Sequence, residues 1–214
     1  MFNPINQLIL SSAQKEALIL MLVLPVAATI IAFARQIIGV KGFGLYTPLI
    51  ITLSFVIIGL DIGLAVFAIA LIVGIAVRTI LKHLYILYLP RIAIVLIITS
   101  LIIFLIFWLN IFGLKNHLFV EFIFAILILV ALVEKFITAQ IERGNRNAIT
   151  LTIETIGVSV ICYYITTLES LQIFALKYPL LLIISTLIIN ILIGKWTGLR
   201  LIEYWRFREV IKKI

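Results

Sequence analysis

The stretch RIAIVLIITSLIIFLIFWLNIF, residues 91–112, decides the fold: after Arg91 it runs for 21 residues without a charge. A helix rises about 1.5 Å per residue and a bilayer's hydrocarbon core is about 30 Å thick, so this run is long enough to cross a membrane. Working outward, apolar runs of similar character occupy 17–34, 46–60, 62–81, 118–137, 149–168 and 180–199, giving seven candidate spans. The whole chain agrees with its centre: of 214 residues 64% are hydrophobic and 12% charged, with a mean hydropathy of +1.32. Soluble domains are about 45–50% apolar and about 25% charged. A soluble globular domain is thereby excluded, and an all-α polytopic membrane protein is expected.

The second run is short and follows Gly39-Val40-Lys41-Gly42-Phe43-Gly44, so it reads as a short or re-entrant helix starting at Thr47-Pro48. Only Leu60, Asp61 and Ile62 separate it from the third, whose outer end Asp61 is expected to cap. Residues 1–16 read as an interfacial segment, 17–199 as the seven-helix domain, and 200–214 as a basic, aromatic tail in the cytoplasm. Counting Lys and Arg on alternate sides gives fourteen against three, Lys15, Lys115 and Lys177 being the minority. Cytoplasmic loops collect cations, so the N-terminus is expected outside and the C-terminus inside. The net charge of +8 then needs no nucleic acid. Ala32-Phe33-Ala34 imitates a signal-peptidase site, but cleavage there would leave the later basic loops on the wrong side.

Four stretches in order, RQIIGVKGFGLYTPLIITLSF at 35–55, LYLPRIAIVLI at 87–97, VEKFITAQIERGNRNA at 133–148 and IGKWTGLRLIEYWRFRE at 193–209, resemble the bacterial seven-transmembrane domain usually fused to an inactive transglutaminase-like domain. More distantly, they look like the small membrane subunit of poly-γ-glutamate capsule synthases. The resemblance spans residues 17–209 and implies a bacterial cytoplasmic-membrane protein that partners an ATP-grasp peptide ligase of the glutamate-ligase type. It departs from the family in two ways: about 16 residues precede the first span, and Phe124 is followed by Ala125 where the family usually has proline. A transglutaminase-like domain is therefore expected on a separate chain, if it takes part.

Candidate contacts fall into four groups. Arg35, Lys41 and Arg91, with Arg78 and Lys82 nearby in sequence, form a basic inner face whose Gly-rich backbone can approach an anion such as a carboxylate-rich peptide or a lipid phosphate; the same charges also serve simply to set topology. Thr47 and Pro48 suit a capped helix start, which aims a partial positive charge at whatever lies ahead. Glu134, Lys135, Glu142 and Glu154 form the third group. Glu142 and Arg146 are spaced to pair on one helical turn, and Glu154 stands about one turn inside the sixth run. An ionisable group there is either functional or an interfacial glutamate paired with a basic loop residue. The tail supplies Arg200, Glu203, Trp205, Arg206 and Arg208, a mixture that anchors at headgroups or docks a soluble partner.

No cofactor, metal or catalytic residue is expected: Cys162 is the one cysteine, His83 and His117 fall on opposite sides, and no nucleophile–base pattern or phosphate loop appears. The expected function is a non-catalytic membrane subunit or scaffold for a cytoplasmic ATP-grasp-type ligase system, one that also passes its amide-linked product across the membrane. The alternative is a small transporter or channel for an anionic solute, built on Glu154 and the Thr47-Pro48 helix start.

Overall fold

The computed structural model describes residues 12–81, 86–109 and 120–196, and every regular element among them is helical. Helix α1 (Ser12–Phe33) runs into a π-helical turn, Ala34–Ile38. Then follow α2 (Tyr46–Ile58), α3 (Leu60–Leu81), α4 (Tyr88–Trp108), α5 (Val120–Arg143), α6 (Asn145–Thr166), α7 (Glu169–Lys177) and α8 (Pro179–Gly194). Five of these helices are long and apolar enough to span a bilayer, and α7 with α8 passes the same test only as a bent pair, the form of a broken span or a re-entrant loop. The 13 residues of α2 reach only about 20 Å at 1.5 Å per residue, which makes it the short helix that the sequence announces. This is an all-α polytopic membrane protein.

Four helices, α7, α5, α2 and α3, differ from the sequence reading. The seventh run was expected as one span over 180–199; instead α7 precedes it, bent 108° from α8 at Tyr178. Pro179 is the cause, since it has no amide to continue α7 and disfavours a helical residue before it, yet fits the first position of α8. Helix α5 continues past 137 to Arg143, so the loop expected between spans five and six reduces to Gly144. Gly144 has φ +81°, the left-handed backbone that ends a helix, so Glu142 and Arg146 do not share one continuous helical turn. Helix α2 begins at Tyr46, placing Thr47 and Pro48 second and third rather than at the cap, and α3 begins at Leu60, placing Asp61 inside its first turn.

The chain divides into two units, residues Met1–Thr52 with Glu154–Ile214, and Leu53–Ile153. In the first, α1 packs on α7 and α8. Its apolar centre gathers Ala27, Ile31 and Ala34 with Leu49, Val158 and Cys162. Asn190 of α8 donates to Thr29 Oγ1 of α1 at 2.7 Å, an interhelical bond worth having where lipid offers no partner. In the second unit α3, α4 and α5 pack pairwise, and Gly74 lets them meet. A Cβ there would lie 2.5 Å from Val133 Cγ1, 3.7 Å from Ile137 Cδ1 and 3.8 Å from Val95 Cγ1. Large apolar side chains such as Ile72, Ile97, Phe104 and Leu192 face outward, as lipid-facing positions do.

Candidate functional site: a carboxylate held by the glycine-rich turn

Residues 39–45 leave the π-helical turn and must satisfy their amides without a helix ladder. Gly39 and Val40 both donate to the Ala34 carbonyl, at 3.0 and 3.2 Å. The next three amides turn to α6. Lys41 and Gly42 donate to Glu154 Oε2 at 2.7 and 3.1 Å, and Phe43 donates to Thr155 Oγ1 at 3.0 Å. Successive N–H groups of a non-helical turn make a concavity suited to an anion. Here the anion is the protein's own carboxylate.

Glu154 lies nine residues beyond the first residue of α6, about 14 Å along a helix long and apolar enough to be a candidate span. The residues of α6 before Ile149 are Asn145, Arg146, Asn147 and Ala148, so Glu154 stands about one turn inside the apolar part of the helix, as the sequence reads. A half-buried carboxylate on a candidate span needs strong partners, and charge-assisted bonds to backbone amides provide them. The turn gains equally, since its non-helical amides find acceptors within the protein.

Glycine is required at position 42. Its φ is +28°, and a Cβ there would stand 3.3 Å from Thr155 Oγ1. Gly42→Ala is expected to cost about 1–2 kcal/mol, through the strained backbone and displacement of the Thr155 hydroxyl. A lowered melting temperature of the purified variant in detergent is the check.

Below the turn the contacts continue between α2 and α6. Thr52 Oγ1 donates to the Pro48 carbonyl at 2.8 Å, and Ser159 Oγ reaches the Pro48 and Thr155 carbonyls at 3.1 and 2.8 Å. Thr52, Thr155 and Ser159 are each at most 2% exposed. Arg35, in the π-helical turn, places Nη1 4.0 Å from where a Cβ of Gly44 would be. Thus Arg35, Lys41, Thr47, Pro48 and Glu154 meet in one unit, with Lys41 contributing its amide while its side chain is exposed.

The remaining expected residues lie elsewhere. Arg91 belongs to the other unit, donating through Nη2 to the Ile86 carbonyl at 2.8 Å. Glu134 and Lys135 sit on α5, half-buried and exposed, and Glu142 is exposed near its end. Arg200, Glu203, Trp205, Arg206 and Arg208, like His83 and His117, lie outside the described residues. Thr52, Thr155 and Ser159 were not singled out from sequence. The signal for the two on α6 is a row of small polar residues, Thr152, Thr155, Ser159, Cys162 and Thr166, spaced three and four apart and all buried.

These features define a polytopic helical membrane domain with an internally satisfied acidic residue. The chain matches, over residues 4–211, the family of seven transmembrane helices usually fused to an inactive transglutaminase, and it belongs to that family. No curated protein and no solved structure matches it.

Proposed function

We propose that the chain is a non-catalytic subunit of a bacterial cytoplasmic membrane, with its N-terminus outside, that works by holding other proteins at the bilayer. The observation that carries this reading is its membership of a family whose members are usually joined to an inactive transglutaminase. A membrane domain allied to a domain without activity is best used to place partners. Its partners in this reading are a transglutaminase-like protein outside and a cytoplasmic ATP-grasp-type peptide ligase, whose amide-linked product the subunit helps across the membrane. The tail cations, Arg206 and Arg208 among them, supply the inner docking charge. The Glu154 geometry does not favour the transporter alternative, since the amides that would greet an anionic solute are engaged by the protein itself.

Mild-detergent purification of the tagged protein from native membranes, with mass spectrometry of what is retained, tests the reading. A ligase or transglutaminase-like protein is expected to co-purify and to be lost from the Arg206→Glu/Arg208→Glu variant, whose membrane insertion is unchanged. Recovery of the chain alone from both preparations contradicts it.

A further inference from the structure

We propose that Arg78, Arg91 and Gln140 form a binding site for a phosphate group that bears a neighbouring hydroxyl, at one end of the α3–α4–α5 unit. The placement follows from the close junction at Gly74, where Val95, Val133 and Ile137 surround the missing Cβ. Residues three or four apart share a helix face. Arg78 is one turn beyond Gly74, Arg91 one turn before Val95, and Gln140 one turn beyond Ile137.

All three turns lead to the same end. The last turn of α3 and the first turn of α4 are joined by a short connection, and Tyr88 of α4 meets Thr138 of α5 through their hydroxyls at 3.0 Å.

Two like charges in partial burial call for an anion, and the described residues provide none. Neither arginine forms an ion pair with a described carboxylate. Arg91 Nε is buried with no hydrogen-bond partner among them, although Nη2 is fixed on the Ile86 carbonyl. A guanidinium held by one nitrogen with another left open has part of its fork ready for an oxyanion. Gln140 shows the complementary vacancy: its Nε2 donates to Asn145 Oδ1 at 2.8 Å, while its buried Oε1 accepts from nothing described. Open donors and an open acceptor at the same end of the three packed helices fit a group with anionic oxygens and an adjoining hydroxyl. A glycerol phosphodiester headgroup has that chemistry, and so does soluble glycerol 3-phosphate. The site stands on different residues from the Glu154 turn, and the inference is independent of the partner reading.

The test is native mass spectrometry of the full chain, released from phosphatidylcholine nanodiscs doped with phosphatidylglycerol. Wild type is expected to retain phosphatidylglycerol, and Arg78→Gln/Arg91→Gln to retain about tenfold less or below, the loss expected for one or more charge-assisted bonds. Arg143→Gln/Arg146→Gln removes the same charge from exposed positions and is expected to behave as wild type. Gln140→Leu is expected to weaken phosphatidylglycerol retention while leaving that of phosphatidylethanol, which lacks the hydroxyl, unchanged. Displacement of the lipid by soluble glycerol 3-phosphate would assign the site to a soluble anion, its absence to the lipid; either supports the site. If the double variant fails to fold, Arg91→Lys replaces it, keeping the charge but losing the fork, with reduced retention expected at an unchanged melting temperature. Equal retention by wild type and arginine variants, equal loss in the Arg143/Arg146 control, or no retention by wild type overturns the proposal.

Discussion

Glu154→Ala is expected to destabilise the protein by about 3 kcal/mol, because two charge-assisted hydrogen bonds, each worth about 1.5–3 kcal/mol, disappear together. The loss exceeds that of an ordinary surface contact, since the Lys41 and Gly42 amides are left without acceptors. Glu154→Gln keeps a carbonyl oxygen in the same place and is expected to lose about half as much. Lys41→Ala separates this account from a side-chain ion pair. The turn uses the amide of Lys41 and not its ammonium group, so this variant is expected to stay within about 0.5 kcal/mol of wild type. Thermal unfolding of the three variants in one detergent gives the ranking. A Lys41→Ala loss as large as that of Glu154→Ala would place the stabilisation in the side chain instead.

The second large effect is expected at Gly74. A leucine there drives a branched side chain into a space where even a Cβ would come within 2.5 Å of Val133 Cγ1. Val133 is fully buried, and Ile137 and Val95 close the remaining directions, so the helices must separate. Overpacking a core by a few methylenes costs about 1–3 kcal/mol, and a leucine at a helix crossing belongs at or above the top of that range. Gly74→Ala is expected to cost about 1–2 kcal/mol by the same route. Val133→Ala removes the offending methyl, so Gly74→Leu/Val133→Ala is expected to be more stable than Gly74→Leu alone, a coupling that distant sites do not show. Unfolding of the single and double variants in detergent measures it. Strictly additive losses would mean that the two residues do not meet.

Much of this was legible in the sequence. Seven apolar runs marked the membrane helices because length and hydropathy are set by the bilayer, which treats every span alike. The shortness of α2 was visible for the same reason. Helix α7 was not: nine residues containing Glu169, Ser170, Gln172 and Lys177 fall below any spanning window, and only the hydrogen bonds of the fold reveal them as helix. The extension of α5 to Arg143 was hidden similarly, because Gln140, Glu142 and Arg143 are good helix formers that hydropathy counts as loop.

The glycine-rich turn and Glu154 are both legible in the sequence, but as separate features 113 positions apart. Composition cannot say that the anion met by the turn is a side chain of the same protein. Hydrophobic periodicity gives little help on α6, where neither side is distinctly more apolar than the other. What distinguishes the buried side is the row of small polar residues from Thr152 to Thr166, since a hydroxyl there packs closely and bonds a nearby carbonyl. Ser159 and Thr52 do this at the Pro48 carbonyl. Arg91 was singled out from sequence, whereas Gln140 was not; its open carbonyl oxygen is a property of the packed helix end alone.

Amide hydrogen exchange of the peptide covering residues 39–45, in nanodiscs, tests most directly whether the turn is closed on Glu154 within one subunit rather than open to solutes. Wild type is expected to show protected amides at Lys41, Gly42 and Phe43, unchanged by added oligo-γ-glutamate, with Glu154→Gln losing protection at Lys41 and Gly42 before Phe43. Fast exchange of these amides in wild type, or protection that appears only when the anionic peptide is added, would contradict the account and return the turn to the role of a solute site.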